Sequence, residues 1–136
     1  MVKFSSVFKK RRKRNLGVKK KVTEHSIQKA FFDYIAKKYP RLRPLCFSIP
    51  NEGARNLIQG SLLKQRGLTK GVPDVFCAIP NDYNPGLFIE FKNGSNKLTD
   101  SQANCIQRFM EVGYECKVCY STDEAIKVFE EQIRGL

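Results

Sequence analysis

Three residues in this sequence could carry chemistry together: Asp74, Glu90 and Lys92. Glu90 and Lys92 stand two apart in Leu87-Phe88-Ile89-Glu90-Phe91-Lys92, a run of strand character. Side chains alternate across a strand, so Glu90 and Lys92 project to one side while Leu87, Ile89 and Phe91 project to the other. An acid and a base on an otherwise apolar strand are costly to bury unless they are paired or hold a metal. Asp74 opens a second strand-like run, residues 74–79, and the turn-rich residues 80–86 join the two. Counting back from that turn places Asp74 near Glu90 and Lys92, to within one register step of two residues. Neighbouring carboxylates repel, and a divalent cation relieves the repulsion. Oxygen ligands with open water positions suit Mg²⁺, with Mn²⁺ as a substitute. Such an ion polarises a phosphodiester and lowers the pKa of a bound water. Lys92 could orient or deprotonate that water, or offset charge in the transition state. The expected chemistry is metal-assisted phosphodiester hydrolysis. The competing expectation is a satisfied salt-bridge cluster on a solvent-facing sheet.

The elements that must position these residues follow from pattern and punctuation. Thr23 caps a helix whose Ile27, Ala30, Phe31, Tyr34 and Ile35 recur at helical spacing, and Pro40 ends it. Residues 45–49 form a short strand that stops at Pro50. Residues 55–66 form a second helix, weakened by Gly60 and closed by Gly67. Strands follow at 74–79 and 87–92, and so short a connection makes them antiparallel. A helix over 100–112 has Thr99 as N-cap and Gly113 as C-cap. A strand over 114–120 and a last helix capped by Ser121 complete the chain. The reading is one small α/β domain, a mixed sheet flanked by helices.

The chain has 136 residues and a net charge of +12. One domain and one core fit that length. No apolar run reaches the ~18 residues of a membrane span. The N-terminus lacks the pattern of a secretory signal, so the protein is expected to be intracellular and its five cysteines reduced. Residues 1–22 hold ten basic residues and no acid, among them the run Lys9, Lys10, Arg11, Arg12, Lys13 and Arg14. The remaining residues, 23–136, carry 15 basic and 13 acidic side chains, a net of +2. The chain therefore reads as a basic, flexible arm on a nearly neutral body. A polyanion, with nucleic acid foremost, is the natural partner of the arm. A solubilising tail and a nuclear-import signal are its other readings. Cys116-Lys117-Val118-Cys119 has CxxC spacing but lies on an expected strand with no second ligand pair, so zinc is not expected there.

Three motifs now stand in order: Gly71-Val72-Pro73-Asp74, Gly86-Leu87-Phe88-Ile89-Glu90-Phe91-Lys92 and Leu98-Thr99-Asp100-Ser101-Gln102. Together they resemble the PD-(D/E)xK nuclease pattern, and more narrowly its VRR-NUC branch, from about residue 23 to 133. The resemblance implies a restriction-endonuclease-like core. It implies that Asp74 and Glu90 bind the metal and that Lys92 is catalytic. It matches Glu24 to an acid beside the metal and Gln102 to a glutamine that lines the site. Small stand-alone members are similar to Holliday-junction resolvases and act as homodimers, and this chain shows no additional domain. The implied function is a Mg²⁺-dependent DNA endonuclease, structure-selective on branched DNA.

Each assignment has an ordinary competitor. Gln102 follows Thr99 by three, the spacing of a capping box. Glu24 could serve only the helix dipole, and His25, the sole histidine, reads as a surface residue. Lys64, Arg66 and Lys70 could bring phosphates to the metal or form a polar helix face, and Arg55 is similarly ambiguous. Two rivals remain for the whole chain. One is a non-catalytic nucleic-acid-binding protein on the same fold. The other is an unrelated RNA- or ribosome-binding protein, which would expose aromatic residues on its sheet. No stacking platform is legible on residues 87–92, because Phe88 and Phe91 face opposite sides.

Overall fold

A computed structural model describes residues 17, 19–51 and 56–136. Helix α1 (Glu24–Lys38) starts where Thr23 accepts the Ser26 N–H and Ser26 returns a bond to the cap. Its stripe of Ile27, Phe31 and Ile35 is buried. A short 3-10 turn, Arg43–Leu45, leads into β1 (Cys46–Ser48). Helix α2 (Leu57–Gln65) is capped by Asn56 and buries none of its residues. Strands β2 (Val75–Cys77) and β3 (Leu87–Phe91) follow, then α3 (Asp100–Glu111), β4 (Glu115–Cys119) and α4 (Thr122–Gln132).

The four strands form one mixed sheet in the order β1-β2-β3-β4. The first two pairings are antiparallel and β3–β4 is parallel, with α3 as the crossover. A tight turn serves an antiparallel pair, whereas a parallel pair needs a connection long enough for a helix. The turn between β2 and β3 is built on Asn81, whose Oδ1 accepts the N–H groups of Tyr83 and Asn84. Gln132 of α4 ties this turn to the body by donating to the Ile79 carbonyl and to Asn84.

All five residues of β3 are buried, so both faces of the central strand are covered. On one face, Val75, Leu87, Ile89 and Phe91 join Phe31, Ile35 and Phe129 in the core under α1 and α4. Fully burying side chains of this size contributes roughly 1.5–3 kcal/mol each. On the other face lies α3, where the rings of Phe88 and Phe109 stack 4.1 Å apart. A solvent-facing sheet, the setting of the salt-bridge alternative, is thus ruled out at Glu90 and Lys92.

Candidate active site

β3 carries Glu90 on the α3 side of the sheet, where only 1% of the residue is exposed. Burying an ionised carboxylate costs several kcal/mol unless it is compensated. Gln102 and Lys92 help to compensate it. Gln102 Nε2 donates to Glu90 Oε1 at 2.9 Å. Lys92 Nζ stands 3.7 Å from the same oxygen, an ion pair too long for a hydrogen bond. Lys92 is itself 6% exposed, so an acid and a base share one buried recess.

Gln102 fulfils both of its sequence readings at once. Its N–H is bound by Thr99 Oγ1 and its own Oε1 accepts the Thr99 N–H, completing a capping box. Its remaining amide group faces Glu90. The same bonds that start α3 therefore aim a donor at the carboxylate.

Asp74 lies at the bend just before β2, not in the strand itself. Its Oδ2 accepts the Phe91 N–H at 2.8 Å, which pins the carboxylate to β3. Val75 pairs with Ile89, and extending that register by one pair sets Asp74 opposite Glu90. The residues before Asp74 are fixed by Gly71. Its φ is +90°, and a Cβ there would strike the Ser101 carbonyl, so only glycine lets this loop meet the first turn of α3. Cys105 Sγ completes the attachment by donating to the Lys70 carbonyl.

Two clefts open on Asp74. One, of about 250 Å³, is lined by Glu24, His25, Gln28 and Asn51 among others. The second, about 150 Å³, is lined by Asn51, Lys70, Gly71, Thr99, Ser101 and Gln102. Glu24 thus shares a cleft with Asp74, and its Oε1 accepts from Asn96 Nδ2 at 3.3 Å. Among the described residues no group of three or more acids, histidines or cysteines is placed to hold a metal, so Glu24 and Asp74 share a cleft without forming such a cluster with Glu90. The helix that carries Glu24 packs on the face of Ile89 and Phe91, and Glu90 points to the opposite face. Asp74 and Glu90 are the carboxylates here that could hold a hard cation together. Mg²⁺ is commonly bound by one or two carboxylates together with waters and substrate phosphates, so the pair suits it.

The basic residues separate by position. Lys70 lines the cleft of Asp74 and Gln102. Arg66 lines a different cleft with Gln59, Leu62 and Leu63 of α2, and neither it nor Lys64 lines the clefts of Asp74. Lys9, Lys10, Arg11, Arg12, Lys13, Arg14 and Arg55 lie outside the described residues. His25 is exposed, as expected, yet lines the Glu24 cleft. The reading of the sequence missed Asn51, which lines both clefts and follows the strand-ending Pro50.

The cysteines form no metal site. Cys116 and Cys119 are three apart on β4, which turns their side chains to opposite faces. Burial, with Glu115 nearby, raises the Cys116 thiol to about 11. Burial, with Glu124 nearby, raises that of Cys119 to about 12. Cys46 and Cys77 are buried partners on adjacent strands. The sheet also carries aromatic residues that β3 alone did not reveal. Phe47, Phe76 and Phe88 are successive register partners on β1, β2 and β3, and Phe47 is 47% exposed.

The comparisons with known proteins agree with this geometry. Residues 18–123 match the sequence profile of the VRR-NUC domain, well over half of the chain. The chain belongs to the VRR-NUC domain family. Among its VRR-NUC relatives of known structure, one described as "VRR_NUC domain protein" is 24% identical, with a TM-score of 0.73. The alignment covers 85% of this chain and 91% of that one, and it shows a shared fold. No curated protein sequence matches the chain. VRR-NUC membership makes this a nuclease-type fold with a small mixed sheet. It removes the rival in which the three motifs coincide by chance on an unrelated RNA-binding protein. No helix among the described residues is long and apolar enough to cross a membrane.

Proposed function

We propose that this VRR-NUC protein is a Mg²⁺-dependent DNA endonuclease that acts on branched DNA such as Holliday junctions. The observation that carries the reading is Glu90: a carboxylate 1% exposed, faced by Lys92 and Gln102 and opposite Asp74. An apolar residue would fill that position at less cost if only the fold were at stake. Asp74 and Glu90 would hold the cation, which supplies Lewis-acid polarisation of the phosphodiester and a more acidic water. Gln102 fixes the rotamer of Glu90. Lys92, held in the same recess, brings its Nζ to the reacting phosphate. Lys70 at the cleft mouth attracts the backbone of the substrate.

The experiment is cleavage of labelled junction, flap, single-stranded and duplex DNA with Mg²⁺, against an EDTA control. Asp74→Ala and Glu90→Ala are expected to lower the rate by at least about a hundredfold, since even groups that merely orient a metal's ligands are worth 10–100-fold. Their DNA affinity should stay near that of the parent. Undiminished cutting by both variants overturns the assignment.

The reduced donor set favours a second reading, a non-catalytic nucleic-acid-binding protein on the same fold. It predicts binding to the same DNA with no Mg²⁺-dependent product. A homodimer is supported by α2, whose Leu57, Ile58 and Leu62 are 94%, 73% and 48% exposed. A monomer mass in sedimentation at micromolar concentration removes that part of the reading.

A further inference from the structure

Beyond the cleft of Asp74 and Gln102 lies a second, larger one, of about 420 Å³. The two share Lys70, Val72 and Ser101, so they form one continuous groove between the Gly71 loop and α3. The larger cleft is lined in addition by Arg108 and Phe109. Lys70 and Arg108 are its only charged lining residues, and both are exposed. Its wall is apolar: Val72, Cys105 and the ring of Phe109, which is braced from behind by stacking on Phe88 at 4.1 Å.

This combination of two cations at the rim, an aromatic edge in the wall and polar Asn104 beside them has the chemistry of a nucleotide. Phosphates seek Lys and Arg, and bases seek apolar and aromatic walls. The volume lies within the ~300–1,000 Å³ range of small-ligand sites. A base inside a duplex is stacked and paired and cannot enter such a cleft without first being released.

We infer that this cleft receives an unpaired nucleotide of the DNA next to the phosphate bound at Asp74 and Glu90, with Arg108 and Lys70 holding its flanking phosphates. The inference rests on the nuclease reading for its substrate. It adds that the preferred DNA carries a single-stranded segment at the cut, as a flap or an open junction does. Arg108, absent from the three sequence motifs, becomes a substrate-binding residue of this groove.

The test is metal-free binding by the full-length chain, so that it does not depend on cleavage. Two DNA probes of equal length are compared, a duplex with a short single-stranded flap and a fully paired duplex. The parent is expected to prefer the flap. Arg108→Ala and Lys70→Ala are expected to weaken flap binding about tenfold, the loss of one charge-assisted contact. Each should lower the salt slope on the flap by about one ion, and Arg108→Ala should leave duplex affinity nearly unchanged. Asn104→Trp, on an exposed helix position, is expected to fill the cleft and abolish the preference without loss of fold. Equal weakening on both probes, or no preference in the parent, overturns the inference. If the preference is seen and depends on Arg108 but no DNA is cut with Mg²⁺, the inference stands and the nuclease reading fails.

Discussion

At the scale of single residues, the site is organised around the cost of burying Glu90. Gln102 answers that cost and begins a helix at the same time, so its replacement should be felt twice. Gln102→Leu removes a hydrogen bond to a charged, buried group, worth about 1.5–3 kcal/mol, and half of a capping box. Thermal unfolding should show a clear fall in midpoint. Cleavage should fall as well, because Glu90 loses the group that fixes its rotamer. Gln102→Glu keeps the box acceptor but sets a second carboxylate against Glu90, and divalent cation should restore more of its stability than of the leucine variant's. Asp74, Glu90, Lys92 and Gln102 were all legible as types and spacings. The burial of Glu90 was not, because a strand's pattern shows which residues share a face but not what lies over it. Arg108 and Asn51 were illegible for a related reason: each enters the groove through tertiary packing and belongs to no local motif.

At the scale of elements, the sequence foretold the order of helices and strands to within a residue or two at most ends. Caps at Thr23, Thr99 and Ser121 account for that success, since each side chain accepts an N–H of the first helical turn, those of Ser26, Gln102 and Glu124. The direction of β4 was not legible, because parallel pairing depends on which way α3 folds back. The joint between the outer helices was also hidden. Glu130 of α4 accepts from Tyr34, Lys38 and Tyr39 of the α1 region, at 3.2, 3.1 and 2.6 Å. The Tyr39 hydroxyl first and Lys38 second hold the Glu130 carboxyl below its ordinary value of 4.5. A depressed folded pKa gives stability that is present above the unfolded value and lost as pH falls through the folded one. The thermal unfolding midpoint should therefore fall on the acid side, below about pH 4.5. Glu130→Gln should flatten that part of the profile, and an unchanged acid limb would show that the clamp contributes nothing.

At the scale of the whole molecule, charge is divided. Ten of the basic residues lie in positions 1–22 and the rest of the chain is nearly neutral. Replacing Lys9 through Arg14 with serine should reduce the dependence of DNA affinity on salt by several ions, since each phosphate contact contributes about 0.9 to the slope. The choice between flap and duplex should survive, because the groove of Lys70 and Arg108 is untouched. Loss of that choice would place discrimination in the arm. The division was fully legible in the sequence, as composition is additive along the chain. The exposed apolar side of α2 was not, because only packing shows that none of the described residues covers it.

The bonds that assemble the site are close along the chain. Glu90 meets Gln102 across 12 residues and Asp74 meets Phe91 across 17. The clamp of Lys38 on Glu130 spans 92. Closing the longer loop costs about 1.5 kcal/mol more chain entropy than closing the 17-residue one. During folding, the hairpin and the start of α3 can therefore draw the acids together while the outer helices are still apart. The Asp74, Glu90 and Gln102 cluster is thus tied by shorter-range contacts than the joint between the outer helices.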